Sequence, residues 1–183
     1  MRIVDGRYVL TNDPFREGGM STVAKAFDPI NSRFCAIKRM KGSGGEDIRW
    51  KESFNREYAA LSELSQHQNI VALLDAGTDD DGFFMVLEWV SENLVDRIST
   101  GGPLNWHDFY HTIGRPILGA LAYAQGRGWN HRDIKPQNIL IDDGGAPKLS
   151  DYGIAKQFEK PSLGLTFGQF RSAPFTPPED DGG

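Results

Sequence analysis

A chain of 183 residues is long enough to bury a real core, and its 39% hydrophobic, 25% charged and 11% aromatic content is ordinary for a soluble globular domain. A formal net charge of −5 argues against a polyanion as the main partner, so no nucleic acid is expected. One cysteine, Cys35, cannot close an internal disulfide; no apolar run approaches the roughly 18 residues of a membrane span, and "MRIVDGRYVL" lacks the apolar centre of a secretion signal. The expected location is the cytoplasm.

In chain order, the first ninety residues read mostly as strands. "RYVL", "TVAKAF", "FCAIKRM" and "FFMVLEWV" are short runs rich in β-branched or aromatic residues. Turn residues separate them at Asp28-Pro29 with Asn31, and at Asp79-Asp80-Asp81-Gly82. One helix interrupts, from about Asp47 to Ser65, with Phe54, Leu61 and Leu64 on an apolar stripe. A short helix in "SENLVDRI" and a longer one near Asn105 to Arg127, ending at Gly128, lead into a hairpin and an irregular Gly-rich stretch. A strand-rich part followed by a helix-led part predicts an α+β fold in two lobes, residues 1–90 and 91–183, hinged near Glu88 to Asn93.

Three features of the first lobe bear on chemistry. In "REGGMSTVAKAFD", Gly18 and Gly19 fit a plain hairpin turn, or a flap whose backbone N–H groups approach phosphates; Ser21 and Val23 fit either. Lys38 in "CAIKRM" shares a strand face with Ala36, and Val23 of the preceding strand can lie across from them. That face would offer one ammonium beside a small apolar floor; the alternative is a solvent-facing lysine. Glu57 falls on the same helix face as Phe54, Leu61 and Leu64, where a carboxylate needs a cation such as Lys38, unless it reaches water at the edge of the stripe.

The second lobe concentrates charge in "NHRDIKPQNILIDDGGAPKLSDYG". A hairpin turn centred between Gly144 and Gly145 sets Asn138 opposite Asp151 at its open end, with side chains starting about 5 Å apart. An amide oxygen and a carboxylate there make a hard-oxygen site suited to Mg²⁺. Asp133 and Lys135 would approach the same end. A solvated polar loop would explain each charge singly, but not their convergence. "HDFYH" carries His107 and His111 at the i,i+4 spacing of zinc hydrolases; with no third ligand evident, two helix-surface histidines is the better reading.

Flap, strand Lys, helix Glu, "HRDIKPQN" and "DYG" stand in an order that resembles the eukaryotic-like serine/threonine protein kinases of bacteria, from "GRYVL" to "TPPE". The resemblance implies a two-lobed kinase fold and ATP- and Mg²⁺-dependent transfer of a γ-phosphoryl group to Ser/Thr hydroxyls of a protein substrate. Lys38 would bind phosphates and pair with Glu57, Asp133 would accept the hydroxyl proton, Lys135 would steady the phosphoryl group, and Asn138 and Asp151 would hold the metal. The nucleotide would lie among Gly18, Gly19, Ser21, Val23, Ala36, Leu140 and the hinge Glu88-Trp89-Val90, with Leu87 as gatekeeper. Leu61, Leu73, His131 and Tyr152 match the stack that links the lobes. Arg132 suggests control by phosphorylation at Ser162, Thr166 or Ser172.

The chain departs from the pattern at three places. Arg16 and Ser21 stand for the first and third flap glycines, Tyr152 replaces the Phe of "DFG", and Pro177-Pro178-Glu179 stands for "APE". Kinase domains continue past this Glu with further helices, so the expectation is a truncated domain with an incomplete helical second lobe, marginal alone or completed by a partner or further residues. The competing reading is a kinase-like module that binds nucleotide or a partner with little turnover.

Overall fold

The computed structural model describes residues 2–17, 21–40, 48–152 and 156–157. Strands β1 (Ile3–Val4), β2 (Tyr8–Leu10), β3 (Arg16–Glu17), β4 (Ser21–Asp28) and β5 (Arg33–Met40) precede helix α1 (Ile48–Leu64). Strands β6 (Leu73–Asp79) and β7 (Gly82–Glu88) complete an antiparallel sheet in the order β1-β2-β4-β5-β7-β6, with β3 paired to β4. Strands β5 and β7 are buried on both faces, so each face has its own core.

The outer face is covered by the first ten residues. Val4 and Tyr8 pack with Ala26, Cys35, Ile37, Phe84 and Val86. This small core is pinned by polar groups: Asp28, 1% exposed, accepts from Arg7 Nε at 3.0 Å and Nη2 at 2.7 Å and from Asn31 Nδ2 at 2.7 Å. The Arg7 hydrogen bonds hold the Asp28 carboxyl well below the usual range. Tyr8 donates to Asp75 Oδ2 at 2.6 Å. Burial pushes the Cys35 thiol up to about 11, so it behaves as an inert apolar residue.

The inner face meets α1 and everything that follows. Ala36, Met85 and Leu87 join Phe54, Ala60, Leu61 and Leu64 of the helix in the main core. After β7 come β8 (Glu92–Asn93), α2 (Leu94–Gly101) and α3 (Trp106–Phe109). Asn93 and Asn105 cap the two helices by accepting from the N–H groups of Asp96 and Asp108. The sequence predicts one helix from here to Arg127. It is instead α3, a π turn at Tyr110–Gly114 and α4 (Arg115–Gln125). Pro116 explains the change, because it lacks the N–H that would bond the Thr112 carbonyl and its ring crowds that turn.

Then follow β9 (Trp129–Asn130), a 3₁₀ turn (Pro136–Asn138), the hairpin β10 (Ile139–Ile141) and β11 (Pro147–Leu149), and β12 (Lys156–Gln157) paired to β9. The hairpin is tied to the run into β6: Val71 N donates to Leu149 O at 3.0 Å, Leu149 N to Asn69 O at 2.9 Å and Asn69 Nδ2 to Pro147 O at 2.8 Å. Among the described residues no helix is long and apolar enough to cross a membrane.

Gly77 shows how tightly the outer core closes. A Cβ at this position would lie 2.7 Å from Cζ of Phe84, its cross-strand partner. Gly77→Ala is therefore expected to cost about 1–3 kcal/mol. Phe84→Leu in the same chain should recover part of that loss, read as a positive coupling in a double-mutant cycle of urea melts; strict additivity would show that the contact does not matter.

Candidate active site

Strand register builds the site's ceiling. Val23 is directly opposite Lys38, and Lys25 is opposite Ala36, which is opposite Leu87. Cross-strand partners share a face, so Val23, Ala36 and Lys38 line one surface, as the sequence predicts. Lys38 is 8% and Glu57 4% exposed, so neither the solvent-facing lysine nor the edge-of-stripe glutamate is realised. Lys38 Nζ donates to Glu57 Oε1 at 2.6 Å and Oε2 at 2.8 Å, and to Asp151 Oδ1 at 3.1 Å. Burial pushes the Lys38 ammonium down, but the Asp151 and Glu57 charges outweigh it and raise its pKa. Burial raises the Glu57 carboxyl and Lys38 offsets this only in part; Asp151 is lowered by the Lys38 charge against its own desolvation. Removing Lys38 would leave the buried Glu57 carboxylate without its cation, a loss of about 3–5 kcal/mol.

The hairpin corrects one expectation. Ile139 pairs with Leu149 and Ile141 with Pro147, and Ser150 N donates to Asn138 O at 2.9 Å, so Asn138 lies opposite Ser150 and not Asp151. The turn is centred on Gly144. Gly145 N donates to Asp142 O, Gly145 adopts φ +81°, and Asp142 Oδ1 accepts from the N–H groups of Gly144 and Ala146. A type I turn followed by a left-handed Gly makes a three-residue loop, which shifts the register by one residue. Asp151 therefore lies beyond the paired strand, and its φ of 65° is left-handed.

Asp133 is held from several sides. Lys135 Nζ donates to Asp133 Oδ2 at 2.7 Å, and Asn138 Nδ2 donates to Asp133 Oδ2 and to its carbonyl, both at 2.9 Å. His131 organises the loop. Its Nδ1 accepts from Asp133 N at 3.2 Å, so Nε2 carries the proton and donates to Ser150 O at 2.9 Å. Arg132 between them has φ 67°, a second strained non-Gly residue in the same cluster as Asp151.

Around this centre, Ala36 and Val90 are buried, and Val23, Leu140 and Trp89 pack against the main core. Ser21 pairs with Met40 at the start of β4. Glu88 commits its side chain elsewhere: Oε1 accepts from Ala72 N at 2.7 Å and Lys148 Nζ at 2.9 Å. The sequence reading missed that Lys148–Glu88 tie between hairpin and hinge, although a lysine alternating with buried Pro147 and Leu149 was its only available signal. Leu61, Leu73 and Tyr152 belong to the main core or pack on it, and His131 meets Tyr152 edge-on with centroids 4.5 Å apart. His107 and His111 stack at 4.5 Å on an exposed helix surface. Gly18, Gly19, Ser162, Thr166 and Ser172, with the Gly of "DYG" and the "PPE" segment, lie outside the described residues.

The donor set suits a hard dication. Among the described residues, no hydrogen bond engages Asn138 Oδ1 or the second carboxylate oxygen of Asp151, and the Asp151 side chain is 47% exposed. Both are oxygen ligands of the kind Mg²⁺ takes.

Two outcomes follow from the buried stack. Tyr152 Oη is buried without a hydrogen-bond partner among the described residues, a desolvation that costs about 1–3 kcal/mol. Tyr152→Phe should raise the melting temperature, and a lower one would show that the hydroxyl is satisfied. Burial holds His131 below the ordinary imidazole value. The unfolded chain then takes up a proton near pH 6.5 that the folded chain refuses until lower pH, so this stability is fully present above about pH 6.5 and is lost below it. Melting temperature should fall between about pH 7.5 and about pH 5.5, and fall less in His131→Phe; equal slopes would discount His131.

Comparison with known proteins agrees with this geometry. The protein kinase domain family matches residues 15–179. A probable serine/threonine-protein kinase of Clostridium perfringens is 36% identical over 179 residues, covering 97% of this chain and 26% of that protein. The serine/threonine-protein kinase PrkC of Bacillus subtilis is 35% identical over 177 residues, 96% of this chain and 27% of its own length. PknL of Mycobacterium tuberculosis, also a serine/threonine-protein kinase, is 34% identical over 182 residues, 97% of this chain and 44% of its own. The chain thus spans about a quarter of the length of the first two relatives and under half of the third. With the family's residues in its order and a buried Lys–Glu pair under its sheet, the chain belongs to the protein kinase domain family.

Proposed function

We propose that this chain carries the site for ATP- and Mg²⁺-dependent phosphoryl transfer to Ser/Thr hydroxyls of proteins, with residues 1–90 in the small lobe and 91–183 in the large lobe. The observation that carries this reading is the buried Lys38–Glu57 pair, with Lys38 also reaching Asp151. A structural role alone would be served as well by apolar residues, since a buried ion pair adds little net stability.

In this reading the base lies between Val23 and Ala36 above and Leu140 below, against Glu88 and Val90, with Gly18, Gly19 and Ser21 toward the phosphates. Lys38 holds the phosphates, kept charged and in place by Glu57. Asn138 Oδ1 and Asp151 hold Mg²⁺, which when bound neutralises phosphate charge. Asp133 orients the acceptor hydroxyl and takes its proton as the new O–P bond forms and the bond to the β-phosphate oxygen breaks, releasing ADP. Lys135, 2.7 Å from Asp133, stabilises charge on the moving phosphoryl group. Ser162, Thr166 and Ser172 are candidate regulatory hydroxyls.

Radiolabelled ATP and a generic protein substrate test the assignment. Asp133→Ala should lose on the order of 10²–10⁴ in turnover, the usual contribution of a positioned base, and Lys38→Met should lose at least as much. Equal incorporation by wild type and Asp133→Ala would overturn the enzyme reading. A nucleotide-dependent thermal shift without any turnover would favour the binding module.

A further inference from the structure

Arg16 stands where the resemblance puts a glycine, and its side chain has a definite destination. Arg16 is directly opposite Val23, which is directly opposite Lys38. Partners across strands share a face, so Arg16 lies on the face that lines the cleft. From there the guanidinium crosses to the segment just after β7. Arg16 Nη2 donates to the Ser91 carbonyl, and Cζ lies 5.1 Å from the centre of the Trp89 ring. A second cation holds the same indole: Lys25 Nζ is 5.2 Å from the ring centre, and is itself placed by Phe34 at 4.5 Å and Asp13 at 3.5 Å.

These contacts join the ceiling of the cleft to its hinge side. Val23 and Ala36 form that ceiling, and Trp89 and Ser91 flank Val90. The strand after Ser91 pairs Asn93 with Leu140, the floor residue. We infer that Arg16 is a clamp between strand β3 and the hinge segment, and that its release and re-closure set the rates at which nucleotide enters and leaves. This inference rests on the proposed reading of the cleft as a nucleotide site.

The chemistry of the side chain supports the assignment. A guanidinium is planar and weakly hydrated, so it can stack on an indole and donate along its edge at the same time, which an ammonium cannot. A glycine at this position offers neither contact. The kinetic signature follows from where the clamp acts. In the inference it is closed both before a nucleotide enters and after one has bound. Its opening is then a barrier common to entry and exit, which changes both rates by one factor and leaves the equilibrium constant unchanged. One exposed cation–π contact with one hydrogen bond to a charged donor corresponds to a change of at least about tenfold.

Stopped-flow mixing with a fluorescent methylanthraniloyl-ADP and Mg²⁺ tests this on the whole chain, with thermal melts as a check on folding. Arg16→Gly should raise association and dissociation rates together, by at least about tenfold, with the dissociation constant within about twofold of wild type. Arg16→Lys, which keeps a charge over Trp89 but not the planar fork, should fall between. Unchanged rates in a folded Arg16→Gly would overturn the clamp. So would a faster dissociation alone with a proportionate loss of affinity, since that marks a direct contact with nucleotide. If Arg16→Gly does not fold, Arg16→Lys and Trp89→Phe carry the same comparison, and wild-type rates in both would overturn it. Absence of any nucleotide signal in wild type is a different failure: it removes the nucleotide-site reading, and the clamp's role with it.

Discussion

The rest of the site depends on one ammonium. Lys38 is delivered by β5, Glu57 by α1 and Asp151 by the segment after β11, three parts of the chain with no local reason to meet. Lys38 and Glu57 are taken from water at a cost that their pairing offsets, while Asp151 adds its charge from a half-exposed position. The sheet, the helix and the hairpin are consequently positioned relative to a single nitrogen, and the helix stripe of Phe54, Leu61 and Leu64 seals the pair from solvent. Apolar side chains of similar volume would hold the same elements together at least as well. Three charges are retained here where packing alone does not require them.

A second hub, His131, converts backbone strain into fixed geometry. Arg132 and Asp151 both adopt left-handed φ values that L-residues resist. The hydrogen bonds from Asp133 N to His131 Nδ1, from His131 Nε2 to Ser150 O and from Ser150 N to Asn138 O form a continuous ladder between these two residues. Strain of this kind persists only where the surroundings over-determine it. A neutral His131 is part of that arrangement, since a proton on Nδ1 would face the Asp133 N–H. The Tyr152 ring packs edge-on against His131, and its hydroxyl has no hydrogen-bond partner among the described residues, so a phenyl ring would leave no polar atom there to satisfy.

Much of this was legible in the sequence because it follows from periodicity. Period two in "CAIKRM" set Lys38 on the face of Ala36, and the helix spacing set Glu57 on the stripe. The one-residue register error at Asn138 arose because "DDGG" admits either a two- or a three-residue loop, and Asp142 decides between them through bonds that a pattern does not reveal. Strand β6 escaped notice because its alternation is broken by a bulge between Leu73 and Asp75 and its sequence is polar and Gly-bearing. The outer core was hidden for a different reason. Its first contributors, Val4 and Tyr8, are two isolated apolar residues in a charged stretch, and only their long-range partners give them meaning.

The two faces of the sheet are held to different standards. On the outer face, Asp28, Arg7, Asp75 and Tyr8 tie the N-terminal strands down through short, part-buried hydrogen bonds, so β5 and Lys38 are backed by a second packed layer. Strand β3 has no such backing. It is two residues long, both exposed, and among the described strands it pairs with β4 alone. Short edge pairings open more easily than central ones. The ceiling of the cleft is therefore held most lightly at β3, while Lys38 and Glu57 beneath it are buried and paired. A side chain that ties β3 across to the hinge acts at the one place in the sheet where a weak contact can still govern movement.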